Sequence, residues 1–247
     1  MLRRYRRMIH SAGFAALCCA SAPAHAQPSL GTAENFAVLA RDSIQNFNAT
    51  TVSGSIGVGA GGAINGFPPG ILTFGSIHLG DATAQQALID IQVVQGGQIG
   101  PCGTELTGQD LGGRTLLPGS YCLLTDAELT GTLILDAAGD PNATFVFFIV
   151  GALHTADNSI IVMSHGGRSC NVTWVVGCPA ALGANSHFVG TLVGLDDITL
   201  ASGADVVGRL LARYGAVTLD GNSISLPECG VTATVATTWG GMKQIYR

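Results

Sequence analysis

The chain has 247 residues, 47% of them hydrophobic and only 11% charged, with 35 glycines and a formal net charge of −5. This length and apolar content suffice for one large β domain, while the mixture is unlike either a disordered tail or a soluble helical enzyme. The acidic balance repels phosphate backbones and anionic membranes, so neither nucleic acid nor lipid is an expected partner.

At the N-terminus, Arg3, Arg4, Arg6 and Arg7 precede an apolar stretch through Phe14 and Leu17, followed by Ala24-His25-Ala26. A basic, then apolar, then small-x-small order reads as a secretory signal peptide over residues 1–26, with cleavage after Ala26. The arginine pairs also permit a twin-arginine route. Cleavage removes four of the 11 basic residues and none of the 16 acidic ones, leaving Lys243 as the only lysine. No later apolar run reaches the ~20 residues needed to span a bilayer. The mature chain is therefore expected outside the cytoplasm, secreted, periplasmic or at the cell surface, without membrane insertion.

From residue 54 onward a short phrase recurs, glycine followed by a polar or charged residue and then Ile or Leu: Gly54-Ser55-Ile56, Gly75-Ser76-Ile77, Gly131-Thr132-Leu133, Gly190-Thr191-Leu192 and Gly208-Arg209-Leu210. Each copy sits in an alternating apolar setting with the period of a strand, and five such strands imply about five coils. Asp81 to Gln95 breaks this pattern. There Ala84, Ala87, Leu88, Ile91 and Val94 follow helical spacing, Asp81 serves as N-cap and Gly96-Gly97 supplies the stop. The helix is expected to lay its apolar stripe along the coils. Gly66-Phe67-Pro68-Pro69-Gly70, Leu117-Pro118-Gly119 and Gly139-Asp140-Pro141-Asn142 are turns within one domain.

Five cysteines follow the signal segment, and in an oxidising compartment the shortest closures pair Cys102 with Cys122 and Cys170 with Cys178, leaving Cys229 odd. No histidine is clustered with them at zinc spacing. Nor does the chain contain His-Glu-x-x-His, Gly-x-Ser-x-Gly or a phosphate loop with its lysine. Asp136, Asp140, Asp196, Asp197 and Asp220 would do acid–base work only if folded to within several ångströms of one another. The adjacent pair Asp196-Asp197 points to opposite sides of any strand. The chain is read as a non-enzyme without a cofactor.

Near the C-terminus, Leu182–Leu192 lines up with Leu200–Leu210 at an offset of 18 residues. Self-similarity at a short period is the mark of a solenoid, in which each coil buries its apolar face against the next. Eighteen residues divide into three short strands with turns, which gives a triangular cross-section. After Pro227 the composition changes, and residues 227–247 form a tail or edge segment.

Several phrases in order carry a family resemblance: Leu30–Leu39 (LGTAENFAVL), Val52–Val58, Gly66–Gly70, Leu117–Cys122, Leu129–Asp136, Asn171–Trp174 and Gly208–Leu219. Together, from about Leu30 to Leu226, they resemble the DUF3494-type ice-binding proteins. The resemblance implies a right-handed, discontinuous, triangular parallel β-solenoid over residues 27–226, with a long helix packed alongside. It also implies a monomer that adsorbs to ice crystals through a flat face away from the helix. Members with a regular face repeat Thr-Ala/Gly-x-Thr/Asn; here Thr155-Ala-Asp-Asn158 is the one internal copy, and Ala184–His187 and Ser202–Asp205 are the equivalent small polar segments. On this reading the candidate ice-binding residues are Asn65, Thr155, Asn158, Ser186, Ser202, Asp205 and Asn222. The competing reading is a surface or matrix scaffold that binds polysaccharide.

Overall fold

The computed structural model describes residues 29–97 and 102–227. The signal segment 1–26 and all of the tail beyond Pro227 lie outside the described residues. All strand pairings are parallel, and they sort into three ladders that form the sides of a solenoid. Mostly β architecture with one α-helix agrees with the solenoid expectation.

One ladder, here the helix face, stacks Thr104–Glu105, Gly119–Leu123, Phe145–Ile149, Val172–Val176, the second halves of His187–Gly194 and Asp205–Ala212, then Phe36–Ala40, Ser55–Val58 and Ile77–Leu79. The second, the open face, stacks Ala127–Leu129, Leu153–Thr155, Ala180–Leu182, Ile198–Leu200, Val217–Leu219, Ser43–Asn46 and Ala63–Asn65. The third, the groove face, holds Thr115–Leu116, Thr132–Asp136, Ile160–Ser164, the first halves of His187–Gly194 and Asp205–Ala212, Ser223–Ser225, Thr51–Ser53 and Ile71–Phe74. Seven strands on the open face exceed the five coils counted from the glycine phrase. The phrase is not one structural position: Gly54, Gly75, Gly190 and Gly208 turn the chain into the helix face, whereas Gly131 turns it into the groove face. At the stacked pair a side chain has no room, since a Cβ on Gly208 would lie 1.8 Å from the Gly190 carbonyl oxygen.

Stacking order departs from chain order at one place. Phe36–Ala40, the first strand, inserts beside the last long strand (Val38 opposite Leu210, Ala40 opposite Ala212) and pairs on its other side with Ser55–Val58. A chain that begins in mid-stack and builds to one end must return to the other before it can continue, and the helix Ala82–Gly97 makes this return along the outside. At 1.5 Å per residue it covers roughly five strand spacings. Its start is one residue beyond the expected cap: Asp81 Oδ1 accepts the N–H of Ala84 at 2.9 Å. The expected stripe faces inward, with Ala84, Ala87 and Ile91 fully buried against Leu30, Ala33, Phe36, Leu39, Val193 and Leu211, and Leu88 partly so. The helix start was legible because capping is local; at the other end the helix runs through Gly96 and Gly97, the expected stop, as far as the described residues go.

Inside the coils runs a column of apolar residues that includes a ring stack from Tyr121 through Phe147 and Trp174 to Phe188, with centroids 5.2, 3.8 and 5.4 Å apart. The Trp174 indole N–H is satisfied by the Val189 carbonyl at 3.0 Å. Arg209, only 8% exposed, donates through Nε and Nη2 to the carbonyl of Glu34 at 3.1 and 2.9 Å. Glu34 belongs to the 3-10 turn Gly31–Asn35 that leads into the inserted strand. A buried guanidinium thereby fastens the N-terminal turn to the last long strand.

Cys102 and Cys122 are joined, with their Cα atoms 5.7 Å apart. Cys170 and Cys178 are not joined to one another: the five-residue strand Val172–Val176 lies between them. Its length alone sets them roughly 13 Å or more apart, against about 4.4–6.8 Å between bridged Cα atoms. Counting residues between cysteines misled here because an extended strand cannot fold back on itself.

Candidate functional site

The three faces differ in what they offer to a partner. The helix covers much of the first. The groove face is interrupted by the segment Gly167–Ser169, which lies beside Val162, Val189 and Val207, and by a hydrogen bond between His187 Nδ1 and Asp205 Oδ2 at 2.7 Å. The open face carries neither, and its strands alternate strictly between buried and outward positions.

On that face the outward residues form one in-register row: Glu128, His154, Ala181, Thr199, Thr218, Gln45 and Asn65. Neighbouring parallel strands are ~4.8 Å apart, so the row spans roughly 29 Å. Beneath it Leu153, Ala180, Ile198, Val217 and Ile44 are buried and fix the backbone from below. The middle of the row is small and uncharged. Its flanks are mixed: Ala152, Pro179, Asp197, Ala216 and Ser43 follow one another on the entry side, and Ala156, Gly183, Ala201, Asp220 and the exposed Phe47 on the exit side. Three acidic residues beside this area are engaged with backbone: Asp126 Oδ1 accepts Ala152 N–H at 2.8 Å, Asp157 Oδ1 accepts Ala184 N–H at 2.8 Å, and Asp197 Oδ1 accepts Ala216 N–H at 2.7 Å. Each bond runs from one coil to the next and keeps the corners level. Glu128 and His154 close one end of the row, and the Asn65 amide donates to Gln45 Oε1 at 3.2 Å at the other.

Of the seven expected residues, Asn65 alone lies in this row. Thr155, Ser186 and Asn222 are 8%, 2% and 3% exposed, which removes them from any surface contact. Thr155 Oγ1 accepts the Gly183 N–H at 3.0 Å. Asn222 accepts from Asp220 N–H at 2.6 Å and donates to the Ala201 carbonyl at 2.8 Å, and its own N–H donates to Thr50 Oγ1 at 3.1 Å. The polarity of Thr155 and Asn222 serves the corners of the coils, where backbone groups leave the ladders and need partners, whereas the buried Ser186 Oγ makes no hydrogen bond. Asn158 and Ser202 are exposed, in the turns between the open and groove faces; Asn158 has a positive φ of 58°. Asp205 is on the groove face with His187. The residues that sequence reasoning missed are Ala181, Thr199 and Thr218, the middle letters of Ala-Ala-Leu, Ile-Thr-Leu and Val-Thr-Leu. An apolar-x-apolar triplet recurring once per coil was the available signal.

Among the described residues, no group of three or more His, Cys, Asp or Glu is placed to hold a metal ion, and no helix is long and apolar enough to cross a membrane.

Fold and face together define a parallel β-solenoid that presents one planar outward surface. The sequence matches the Ice-binding-like family model over residues 38–225. It is 43% identical over 199 residues to an ice-binding protein of Nostoc sp. (strain HG1), covering 79% of this chain and 73% of that one. Among solved structures, an ice-binding protein from an Antarctic biological consortium superimposes with a TM-score of 0.81 at 38% identity, over 84% of this chain and 94% of the other. One from the Antarctic ascomycete Antarctomyces psychrotrophicus gives 0.79 at 36% identity, over 82% and 99%. The chain belongs to the Ice-binding-like family.

Proposed function

We propose that this protein adsorbs to ice through the open face and thereby inhibits ice growth or recrystallisation, acting as an exported monomer. The observation that carries the reading is the in-register outward row on an uncovered parallel sheet, with Ala181, Thr199 and Thr218 at its centre. Methyl and hydroxyl groups repeated at strand spacing on a rigid backbone hold surface water in an ordered array that merges with the crystal. Rigidity matters because a preorganised surface loses little entropy on adsorption. Long charged side chains would break that array, and here they are confined to one end. Export is supported by the basic-apolar-small order of residues 1–26. A polysaccharide-binding scaffold has less support, because the outward row contains no Phe, Tyr or Trp ring on which a sugar could stack.

The test is ice recrystallisation inhibition by the chain from Gln27 to Arg247 beside Thr199→Tyr, Thr218→Tyr and, as a control on the groove face, Ser223→Tyr. Thr199→Tyr and Thr218→Tyr are expected to raise the inhibitory concentration by at least about tenfold, equivalent to ~1.4 kcal/mol, with the folded spectrum unchanged. Full activity in both, with loss in Ser223→Tyr, would move the ice-binding surface to the groove face.

A further inference from the structure

At the corner where the helix face turns into the open face, Arg213 follows Asp205–Ala212 and Arg41 follows Phe36–Ala40. Because Ala40 pairs with Ala212, the two arginines stand on neighbouring coils, about 4.8 Å apart along the backbone. They are two of the five arginines among the described residues, which contain no lysine. Like charges at that spacing repel, yet the corner keeps them together. Both line a cleft of about 310 Å³ with Tyr214 and, from the helix, Gln85, Leu88, Ile89 and Gln92. These helix residues recur at intervals of three and four, which puts them on one flank.

The two guanidiniums are held by different means. Arg213 lies against the Tyr214 ring, its guanidinium carbon 4.5 Å from the ring centroid. The N–H groups of Arg213 and Tyr214 donate to the Gly194 and Leu195 carbonyls at 2.9 and 3.1 Å, which fixes both residues to the previous coil. Stacking uses the face of a guanidinium, and its N–H groups point outward in the plane. Arg41 extends over Gly59, where a Cβ would come within 2.5 Å of Nη1, so the glycine makes room for it. On the helix side, Gln85 Nε2 donates to the Gly80 carbonyl at 2.9 Å, which steadies that amide. No aspartate or glutamate lines the cleft, Asp42 beside Arg41 included. At the neighbouring corner Asp196 Oδ1 accepts the Asp197 N–H at 3.0 Å, and Asp197 Oδ1 the Ala216 N–H.

We propose that this cleft binds a carboxylated sugar, the hexuronate unit of an acidic glycan. Two guanidiniums with no lining carboxylate select an anion, and the planar fork of an arginine matches a carboxylate as a bidentate pair. The Gln85 and Gln92 amides offer donors and acceptors to ring hydroxyls. Tyr214 and Ile89, 58% and 55% exposed, give an apolar wall for the C–H face of a pyranose. The volume stands at the lower end of the roughly 300–1,000 Å³ of small-molecule sites, which suits one or two sugar units. Net acidic charge opposes approach at long range, where salt screens it, and the arginines act at contact. No outward residue of the open face lines the cleft. A glycan held there leaves Ala181, Thr199 and Thr218 uncovered, so the site adds to ice adsorption instead of replacing it. Binding of the sugar depends on neither the export reading nor the ice reading.

The experiment is isothermal titration of the full chain with trigalacturonate, with a neutral trisaccharide and with sodium sulfate, in the parent and in Arg41→Gln, Arg213→Gln and Ile89→Glu. Trigalacturonate is expected to bind the parent saturably, and more weakly as salt is added, while the neutral sugar gives no heat of binding. Arg41→Gln and Arg213→Gln are each expected to weaken trigalacturonate at least about tenfold, the loss of one charge-assisted hydrogen bond. Ile89→Glu does the same by placing a carboxylate in the cleft. Arg41 and Ile89 are exposed, so those two variants are expected to keep the folded spectrum and the recrystallisation inhibition of the parent. The proposal is overturned by absence of trigalacturonate binding, by equal binding of the neutral sugar, or by undiminished binding in all three variants. Sulfate binding as tight as that of trigalacturonate also overturns it, since the cleft would then be a plain anion site.

Discussion

Arg209 is among 11 basic residues in the chain, and its position inside the fold gives it a role that its sequence phrase does not show. Its guanidinium satisfies the Glu34 carbonyl at the seam between the inserted first strand and the last long strand. Arg209→Ala removes a charge-assisted, part-buried hydrogen bond across this seam, a loss of about 1.5–3 kcal/mol. In a domain of this size the thermal midpoint should fall by roughly 3–12 °C, measurable by circular dichroism. Asp81 acts at the surface. The Ala84 N–H and then the His78 ring hold its carboxyl below the usual 3.8, and the Ala138 N–H does the same first, then His165, for Asp136. A depressed folded value means that the unfolded chain binds protons more readily at acid pH. The stabilisation is therefore complete above the unfolded value and is lost as pH falls below 3.8 through the folded values. A series of melting curves should be level in this respect above about pH 5 and should steepen downward below 3.8; Asp81→Asn should flatten part of that acid limb.

At the scale of elements, the ring stack from Tyr121 to Phe188 crosses four successive coils of the solenoid. Each coil contacts only its neighbours, so a void in one is not filled from elsewhere. Trp174→Ala, at a fully buried position, should cost about 3–5 kcal/mol and lower the midpoint of urea unfolding. The helix is the element most legible in the sequence. Its cap and its stripe of Ala84, Ala87, Leu88 and Ile91 are contained within one segment, and the structure starts the helix at the residue after the expected cap and turns that stripe inward. Strands of three residues are harder to see. Leu153-His-Thr155 alternates like Ile198-Thr-Leu200, yet its third residue is a buried threonine that bonds Gly183 N–H. Polarity alone suggested a surface position for Thr155, and hydrogen bonding to the next coil decided otherwise.

For the whole molecule, the planar area is bounded by where small residues stop. Glu128 and His154 extend the outward row beyond Ala181 in register, so the row continues geometrically after its chemistry has changed. His154→Thr lengthens the methyl and hydroxyl array by one coil. It should lower the concentration at which recrystallisation stops, and an unchanged endpoint in a folded variant would show that the two-threonine centre already sets the activity.

The sequence by itself determined what is local and periodic: the parallel coil, from the echo of Leu182–Leu192 in Leu200–Leu210; the helix, from its spacing and cap; and the turns, from glycine and proline. Its ordered phrases also carried the family. Tertiary structure alone decided that the first strand enters in mid-stack, that Cys170 and Cys178 lie too far apart to pair, and that Thr199 and Thr218 face outward while Asn222 faces in. The physical reason is that a solenoid has three similar sides. A period-two pattern fixes which residues alternate on a strand, but the side left uncovered depends on where the helix returns and where the first described strand meets the last long one, and those contacts join residues as far as 175 positions apart, as Arg209 and Glu34 are.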